Sequence, residues 1–212
     1  MTLAKICGLS TPDAVAAALA GGAAWLGFVF FAASPRDVAP QAAARLAAPA
    51  RGRAGIVAVT VDPDDALIDR LMAALRPDLI QLHGRESPAR AMQIAARAGV
   101  GVIKALAVSE AADLAAADDY ESVAAHLMFD AAAPTASARP GGTGAAFDAA
   151  LLAGRRFARP WFLAGGLDPW NVADAIGRSG ATMVDVSSGV ERGPGLKDPA
   201  LITAFLEAVR RA

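Results

Sequence analysis

Alternating strand-like and helical segments predict that this chain of 212 residues is an α/β protein, a single-domain (β/α)8 TIM barrel. Eight short apolar runs recur at intervals of roughly 20 to 35 residues, and helical segments separate them. We expect residues 1–212 to form one domain, since barrels of this length commonly do. The predicted strands are Leu3 to Cys7, Trp25 to Phe30, Gly55 to Val61, Leu79 to His83, Val100 to Leu106, His126 to Asp130, Trp161 to Ala164 and Thr182 to Ser187.

Signals for helix ends support this alternation. Pro12 and Pro169 each follow a polar residue, which is typical of the first helical position. Gly99 and Gly180 stand just before strand-like runs, where a left-handed glycine can end a helix. An open doubly wound sheet is the alternative architecture, but it usually has fewer strands and a different phosphate loop.

Composition excludes several classes of protein. The chain has one cysteine and two histidines, so no intramolecular disulfide can form, and a structural zinc site is not expected. A reducing compartment, the cytoplasm, is the expected location. The net charge of −1 argues against a nucleic-acid partner or a basic membrane face. A monomer and a homodimer are both left open.

One uncharged segment, Ala14 to Ala33, is long enough to cross a bilayer. However, Thr11 or Ser10 before Pro12 predicts a helix start, and Gly21-Gly22 predicts that this helix stops. We therefore expect a helix, a turn and a strand here rather than a membrane span. Because no basic region precedes the segment, no signal peptide is expected either.

Several strands carry polar residues on one face only. Side chains alternate between the two faces of a strand. We call the alternate positions that carry apolar residues the apolar parity and the positions between them the polar parity. The apolar parity is expected to face the helices, and the polar parity is expected to face the barrel interior. Polar residues near strand carboxyl ends suit catalysis, because barrel enzymes keep their chemistry there. The charged members Lys5, Lys104 and Asp185 could equally be buried groups that pair with one another. The residues on the polar parity are Lys5, Cys7, Gln81, His83, Lys104, Asp130 and Asp185.

A phosphate site is predicted at the loops after the seventh and eighth strands. Barrels often bind phosphate there, and glycines let backbone amides approach an anion near a helix amino terminus. The residues of these two loops are Gly165, Gly166, Ser187, Ser188 and Gly189. The segment Ala131 to Gly144, rich in Ala, Pro and Gly, is expected to be a mobile loop over the site.

Short segments of distinctive sequence extend over the whole length of the chain. They are Lys5-Ile6-Cys7-Gly8, Gly27 to Phe30 with Ser34-Pro35-Arg36, Gln81-Leu82-His83-Gly84, Phe129-Asp130, Gly141 to Gly144, Ala164 to Leu167 with Pro169 and Asn171-Val172, Val184 to Glu191, Pro194-Gly195 and Lys197-Asp198. Taken together, these segments resemble the phosphoribosylanthranilate isomerase family of tryptophan biosynthesis. They occur in the family's order, so their joint occurrence is specific although each is weak alone.

The resemblance implies an Amadori rearrangement of N-(5-phosphoribosyl)anthranilate, a phosphosugar, without a metal or cofactor. It implies that Asp130 is the general acid that opens the ribose ring and that Cys7 is the general base. It further implies that Arg36 meets the anthranilate carboxylate and that His83 lines the substrate pocket.

Three other functions remain possible at this point. A related sugar-phosphate isomerase of histidine biosynthesis usually pairs two aspartates, whereas this chain offers Cys7 with Asp130. Lys104 could form a Schiff base as in an aldolase. The chain could also bind a phosphosugar without catalysis.

Overall fold

The computed structural model describes residues 1–132 and 148–212, and its core is a closed barrel of eight parallel strands. The strands follow one another in chain order, and β1 pairs with both β2 and β8, which closes the cylinder. The predicted fold is therefore confirmed, with strand ends within two residues of those expected. The strands are β1 Leu3–Cys7, β2 Trp25–Phe30, β3 Gly55–Thr60, β4 Leu79–Leu82, β5 Gly101–Val108, β6 His126–Ala131, β7 Trp161–Leu163 and β8 Met183–Val186.

The α-helices of the described residues pack outside this barrel, but they do not follow every strand. After β5 the chain forms a 3-10 helix, Ala111–Ala117, and the described residues before β7 contain another, Ala149–Leu152. Most of the loop predicted from Ala131 to Gly144 lies outside the described residues. The α-helices are α1 Pro12–Ala20, α2 Pro40–Ala47, α3 Asp65–Ala74, α4 Pro88–Ala98, α5 Val172–Ser179 and α6 Pro199–Arg211.

The predicted helix ends are largely confirmed. The side chain of Thr11 accepts from the backbone amide of Ala14, with Pro12 in the first turn of α1. Gly99 and Gly180 adopt φ angles of 67° and 73° at the ends of α4 and α5, where residues with a Cβ are strained. The predicted helix start at Pro169 is wrong, because α5 begins at Val172.

Two apolar layers enclose the strands. An outer layer joins them to the helices and includes Ile6, Phe28 and Ile80, whereas Val57 and Met128 belong to the layer inside the barrel. Alternate residues of one strand therefore have different surroundings, as the polar and apolar parities predicted. Lys104 is the exception. It shares the outer parity of β5 with Val102 and Leu106, whereas Ile103 lies inside the barrel.

The uncharged segment Ala14 to Ala33 does not form one long helix. It is divided between α1, a turn at Gly21-Gly22 and the buried strand β2. Across the described ranges, every helix is too short or too polar to span a bilayer.

Candidate active site

The carboxyl ends of the strands meet at one end of the cylinder, which we call the barrel mouth. Cys7 is the last residue of β1, and Asp130 is the last but one of β6. Cys7 belongs to the inner apolar layer, and Asp130 has the same parity in β6 as the inward-facing Met128. Both predicted catalytic side chains therefore face the barrel interior at the mouth.

Cys7 lies beside a buried ion pair. The Lys5 ammonium donates to Asp185 Oδ1 over 2.8 Å, and β1 and β8 place these two residues in register. The Cys7 Sγ and Lys5 Nζ atoms each lie 3.2 Å from the point that a Cβ on Gly27 would occupy. The missing side chain at Gly27 thus leaves room for the thiol and the ammonium together. The sequence left open whether these charged residues act in catalysis or pair with one another, and Lys5 and Asp185 do pair.

Burial controls the protonation of this cluster. It raises the pKa of the Cys7 thiol above 9.0, and Lys5 and Lys197 oppose that rise. Burial alone would lower the pKa of Lys5, but the attractions of Asp185 and of an ionised Cys7 together outweigh it and the net pKa is raised. The resting site therefore holds a neutral thiol beside an ammonium, and that ammonium favours the thiolate once the proton leaves.

Asp130 is hydrogen-bonded to His83. Nε2 of His83 lies 3.1 Å from Asp130 Oδ2, while Nδ1 lies 2.8 Å from Nε2 of Gln81. His83 directly follows β4, and the inward-facing Gln81 is 1% exposed. The predicted substrate contact at His83 thus lies at the mouth, but this side chain is also a direct partner of Asp130. The shared parity of Gln81 and His83 was the signal for their proximity.

Arg36, predicted to meet a substrate carboxylate, is buried and already holds a carboxylate of the chain itself. Its Nε and Nη2 atoms donate to Oε1 and Oε2 of Glu191, each over 2.7 Å. Glu191 begins a short hairpin after β8, made of β9 Glu191–Gly193 and β10 Leu196–Lys197. Lys197 Nζ contacts Glu191 Oε1 over 2.6 Å and the Ser187 carbonyl oxygen over 2.8 Å.

Glu191 and Lys197 were not predicted from the sequence to be site residues, although both lie in the segments that carry the family resemblance. Burial alone would raise the pKa of Glu191, but the hydrogen bonds from Arg36 and the charge of Lys197 outweigh it and hold this pKa below 4.5. Burial lowers the pKa of Lys197 against the attraction of Glu191. The three charges therefore form one buried network beside the predicted phosphate loops.

The two predicted phosphate loops lie against each other. A Cβ added to Gly189 would collide with the carbonyl oxygen of Leu167, so the loop after β8 touches the loop after β7 through bare backbone. Gly165 and Gly166 adopt φ angles of 86° and 64°, and Asn171 Nδ2 donates to the Gly166 carbonyl oxygen over 2.8 Å. This close backbone packing suits an anion cradle made of amides.

The inward placement predicted for Lys104 is wrong. Its ammonium donates to the Gly84 carbonyl oxygen and to Glu86 Oε2, each over 2.7 Å, and lies 5.6 Å from the centre of the Tyr120 ring. Glu86 in turn accepts from the backbone amides of Asp62 and Gly84. Lys104 therefore fastens the loop after β4 from outside the barrel, and the geometry disfavours a Schiff base there.

Within the described ranges, no group of three or more His, Cys, Asp or Glu side chains could hold a metal ion. The mouth instead brings together a thiol with an adjacent cation, a carboxyl with an adjacent imidazole, a buried arginine and a glycine-rich backbone cradle. A thiol and a carboxyl group, here on β1 and β6, are groups of the kind that transfer protons, and glycine-rich backbone of this kind suits an anionic group. These features are those of a (β/α)8-barrel enzyme that works by acid–base chemistry.

Comparison with known proteins gives the family. A family model described as N-(5'phosphoribosyl)anthranilate (PRA) isomerase matches residues 4–208. An N-(5'-phosphoribosyl)anthranilate isomerase of Caulobacter vibrioides is 70% identical over 211 residues, covering 99% of this chain and 96% of the relative. The chain belongs to the PRA isomerase family.

Solved structures agree with this assignment. The crystal structure of phosphoribosyl anthranilate isomerase from Thermotoga maritima has a TM-score of 0.89 at 33% identity and covers 100% of both chains. A second isomerase structure, in complex with reduced 1-(o-carboxyphenylamino)-1-deoxyribulose 5-phosphate, has a TM-score of 0.86 at 31% identity and also covers 100% of both chains.

Proposed function

We propose that this chain converts N-(5'-phosphoribosyl)anthranilate to 1-(2-carboxyphenylamino)-1-deoxyribulose 5-phosphate in tryptophan biosynthesis, by general acid–base catalysis. The observation that carries the proposal is the family match over residues 4–208, together with 70% identity to a relative of that name. The inward placement of one acid and one base at the barrel mouth supports it.

In this proposal Asp130 is the general acid. Its proton goes to the ribose ring oxygen, the bond between that oxygen and the anomeric carbon breaks, and the nitrogen lone pair forms an iminium. Asp130 lies at the mouth end of β6, and its contact with His83 fixes one carboxyl oxygen. A positioned acid of this kind typically contributes about a hundred- to ten-thousandfold.

Cys7 is the general base. Its thiolate removes the proton from the sugar carbon next to the iminium, which gives an enolamine that tautomerises to the ketone. The thiol must first lose its own proton to solvent, against a pKa that burial raises. The neighbouring Lys5 ammonium, itself paired with Asp185, stabilises the thiolate that the step requires.

The two ends of the substrate are assigned to separate groups. The cradle of Gly165, Gly166 and residues 187–189 is proposed to hold the phosphate, since its two loops meet through glycine backbone, and glycine lets backbone amides approach an anion. Arg36 is proposed to meet the anthranilate carboxylate. Two of its nitrogens bind Glu191, so the remaining Nη1 is the atom assigned to this contact. His83 is proposed to line the pocket between them.

The rival functions are weaker on these observations. The related isomerase of histidine biosynthesis would need a second aspartate in the place of Cys7. An aldolase lysine is disfavoured because Lys104 is engaged by Glu86 outside the barrel. A phosphosugar-binding protein without catalysis would share the cradle, and only an activity assay separates it.

The test is the fluorescence of the substrate, which is lost as product forms. The unmodified chain should consume the substrate, whereas Cys7→Ala and Asp130→Asn should each reduce turnover about a hundred- to ten-thousandfold. Asp174→Asn, at an exposed position of α5, is the matched control and should keep full turnover. Wild-type turnover in both active-site variants would refute the assigned roles, and an inactive wild type would refute the function.

The cellular location, the partners and the oligomeric state of the protein are part of the same proposal. A single cysteine is compatible with the reducing cytoplasm, and a net charge of −1 argues against a nucleic-acid partner. Both a monomer and a homodimer remain predictions, which light scattering of the purified chain would distinguish. Cell fractionation would test the location.

A further inference from the structure

We propose that Gln81 is a positioning residue that keeps the imidazole of His83 neutral, with its proton on Nε2. Held in this form, His83 donates to Asp130 without placing a positive charge beside it. The inference rests on the proposed function for the role of Asp130 as an acid. It concerns a different residue and has a readout that needs no catalysis.

The first step is the orientation of the Gln81 amide. Its Nε2 lies 3.3 Å from Sδ of Met128 and 2.8 Å from Nδ1 of His83. A thioether sulfur can only accept a hydrogen bond, so the amide atom that faces it must be the nitrogen. Turning the amide over would place its oxygen against the sulfur lone pairs, which is unfavourable.

The other amide atom does not overturn this orientation. Oε1 of Gln81 is buried and has no hydrogen-bond partner among the described residues. In the reversed amide the nitrogen would occupy that place, so its hydrogens would have no acceptor and the sulfur would lose its donor. The orientation with the nitrogen between His83 and Met128 makes two contacts, whereas the reverse makes one.

The second step is the protonation of His83. Because Gln81 donates to Nδ1, that nitrogen must carry a lone pair, and the ring proton must lie on Nε2. Nε2 is the atom that lies 3.1 Å from Asp130 Oδ2. An imidazolium would point a second N–H at the amide hydrogens of Gln81, so the amide disfavours the charged ring.

The third step is the consequence for Asp130. A cationic imidazole beside a carboxyl group stabilises the carboxylate and so withholds the proton that a general acid must give. A neutral N–H donor fixes Oδ2 without that charge, which leaves Oδ1 to carry the proton toward the substrate. Gln81 thereby orients the acid and also permits it to be protonated, through His83 and without touching the substrate.

The surroundings hold this chain of contacts in place. Gln81 lies in the middle of the sheet, in register with Val59 of β3 and Ile103 of β5, and its side chain is almost fully buried. The nearby charges of Lys104 and Glu86 pair with each other, with Nζ of Lys104 2.7 Å from Oε2 of Glu86. Asp130 is thus the charged partner that the structure gives to His83.

The experiment is nitrogen-15 NMR of the histidine side chains in the unmodified protein at neutral pH. The chain has only two histidines, and His126→Phe identifies the signals of His83. We expect His83 to show a protonated Nε2 and an unprotonated Nδ1. A proton on Nδ1, or an imidazolium, would overturn the proposal whether or not the chain has isomerase activity.

Two variants of Gln81 test the consequence. In Gln81→Glu the new carboxylate can accept from Nδ1, so the His83 signals should change to those of an imidazolium and turnover should fall about ten- to a hundredfold, part of the contribution of a general acid. Substrate KM should change much less. Gln81→Met removes the hydrogen-bond donor without adding a charge. In this variant His83 should no longer be held in one tautomer, and turnover should fall less than in Gln81→Glu. Wild-type turnover in Gln81→Glu together with an imidazolium would contradict the proposal, and an inactive wild type with the expected tautomer would instead refute the proposed function.

Discussion

The guanidinium of Arg36 donates two hydrogen bonds to Glu191, and each donor nitrogen lies 2.7 Å from a different carboxylate oxygen. This pair joins the loop after β2 to the hairpin after β8, across 155 residues of sequence. Lys197 contacts the same carboxylate and the Ser187 carbonyl oxygen. One ionic network thus connects the proposed carboxylate-binding arginine to the proposed phosphate cradle.

Replacing Arg36 with lysine should weaken binding of the anthranilate end of the ligand. A lysine keeps the charge but cannot hold Glu191 with two parallel bonds and still offer a third nitrogen. We expect the affinity for the reduced product analogue to fall about tenfold or more, the loss of one charge-assisted hydrogen bond, and the affinity for inorganic phosphate to stay nearly unchanged. Calorimetric titration measures both. An equal loss for the two ligands would show that Arg36 acts only by holding the hairpin.

The Glu191 network should make stability depend on acidic pH. The folded-state pKa of Glu191 lies below its ordinary value of 4.5 because of Arg36 and Lys197. The stabilisation is therefore complete above the unfolded pKa and is lost as the pH falls through the folded one. The difference in unfolding free energy between the wild type and Glu191→Gln should shrink as the pH is lowered from 7 toward 3. A difference that stays constant would contradict this linkage.

The reactivity of Cys7 should rise steeply at alkaline pH. Burial raises the pKa of the thiol above 9.0, and Lys5 opposes that rise. The rate of alkylation by iodoacetamide, followed by mass spectrometry on the single cysteine, should therefore reach its midpoint above pH 9.0 in the wild type. Lys5→Met should move the midpoint higher still, and Lys5→Arg should move it less. A midpoint near neutral pH would disprove the neutral resting thiol.

Lys5→Met should also destabilise the fold, because it leaves the Asp185 carboxylate buried without its 2.8 Å partner. Breaking a buried pair from one side costs about 3–5 kcal/mol. The double variant Lys5→Met/Asp185→Leu removes both charges and should recover most of that loss. Denaturant unfolding measures the free energies. Equal losses in the single and double variants would mean that the pairing itself contributes little.

A negative charge in the cradle should repel phosphate. Ser188→Asp places a carboxylate in the loop after β8, and a repulsion of about 1.4 kcal/mol already lowers affinity tenfold. We expect weaker binding of ribose 5-phosphate by at least that factor, whereas Ser188→Ala keeps the backbone amides and should bind normally. This comparison is cleaner than changing Gly166, whose φ of 64° would strain any larger residue. Unchanged binding in Ser188→Asp would place the phosphate elsewhere.

Local patterns in the sequence predicted the barrel well. Apolar runs marked all eight strands, and the alternation in β1, β4 and β6 correctly placed Cys7, Gln81 and Asp130 inside the barrel. The same rule failed for Lys104. Both parities of β5 are apolar around it, so alternation alone could not show which side faced the helices.

Contacts between distant segments were beyond local patterns. The partner of Arg36 is 155 residues away, and its choice depends on how the hairpin after β8 folds back. Pro169 carried a helix-start signal, but Asp168 Oδ1 instead accepts from the amides of Trp170 and Asn171 and delays the helix. The link from His83 to Asp130 likewise requires the closed cylinder, which brings β4 and β6 to one mouth.

The pairing of Lys5 with Asp185 also affects how the chain can fold during translation. Lys5 leaves the ribosome 180 residues before Asp185, so for most of translation its ammonium lacks this partner and β1 lacks β8, the strand with which it closes the barrel. Unpaired edges of this kind invite mispairing. Cylinder closure, and with it the pocket, therefore waits for the last strand to emerge.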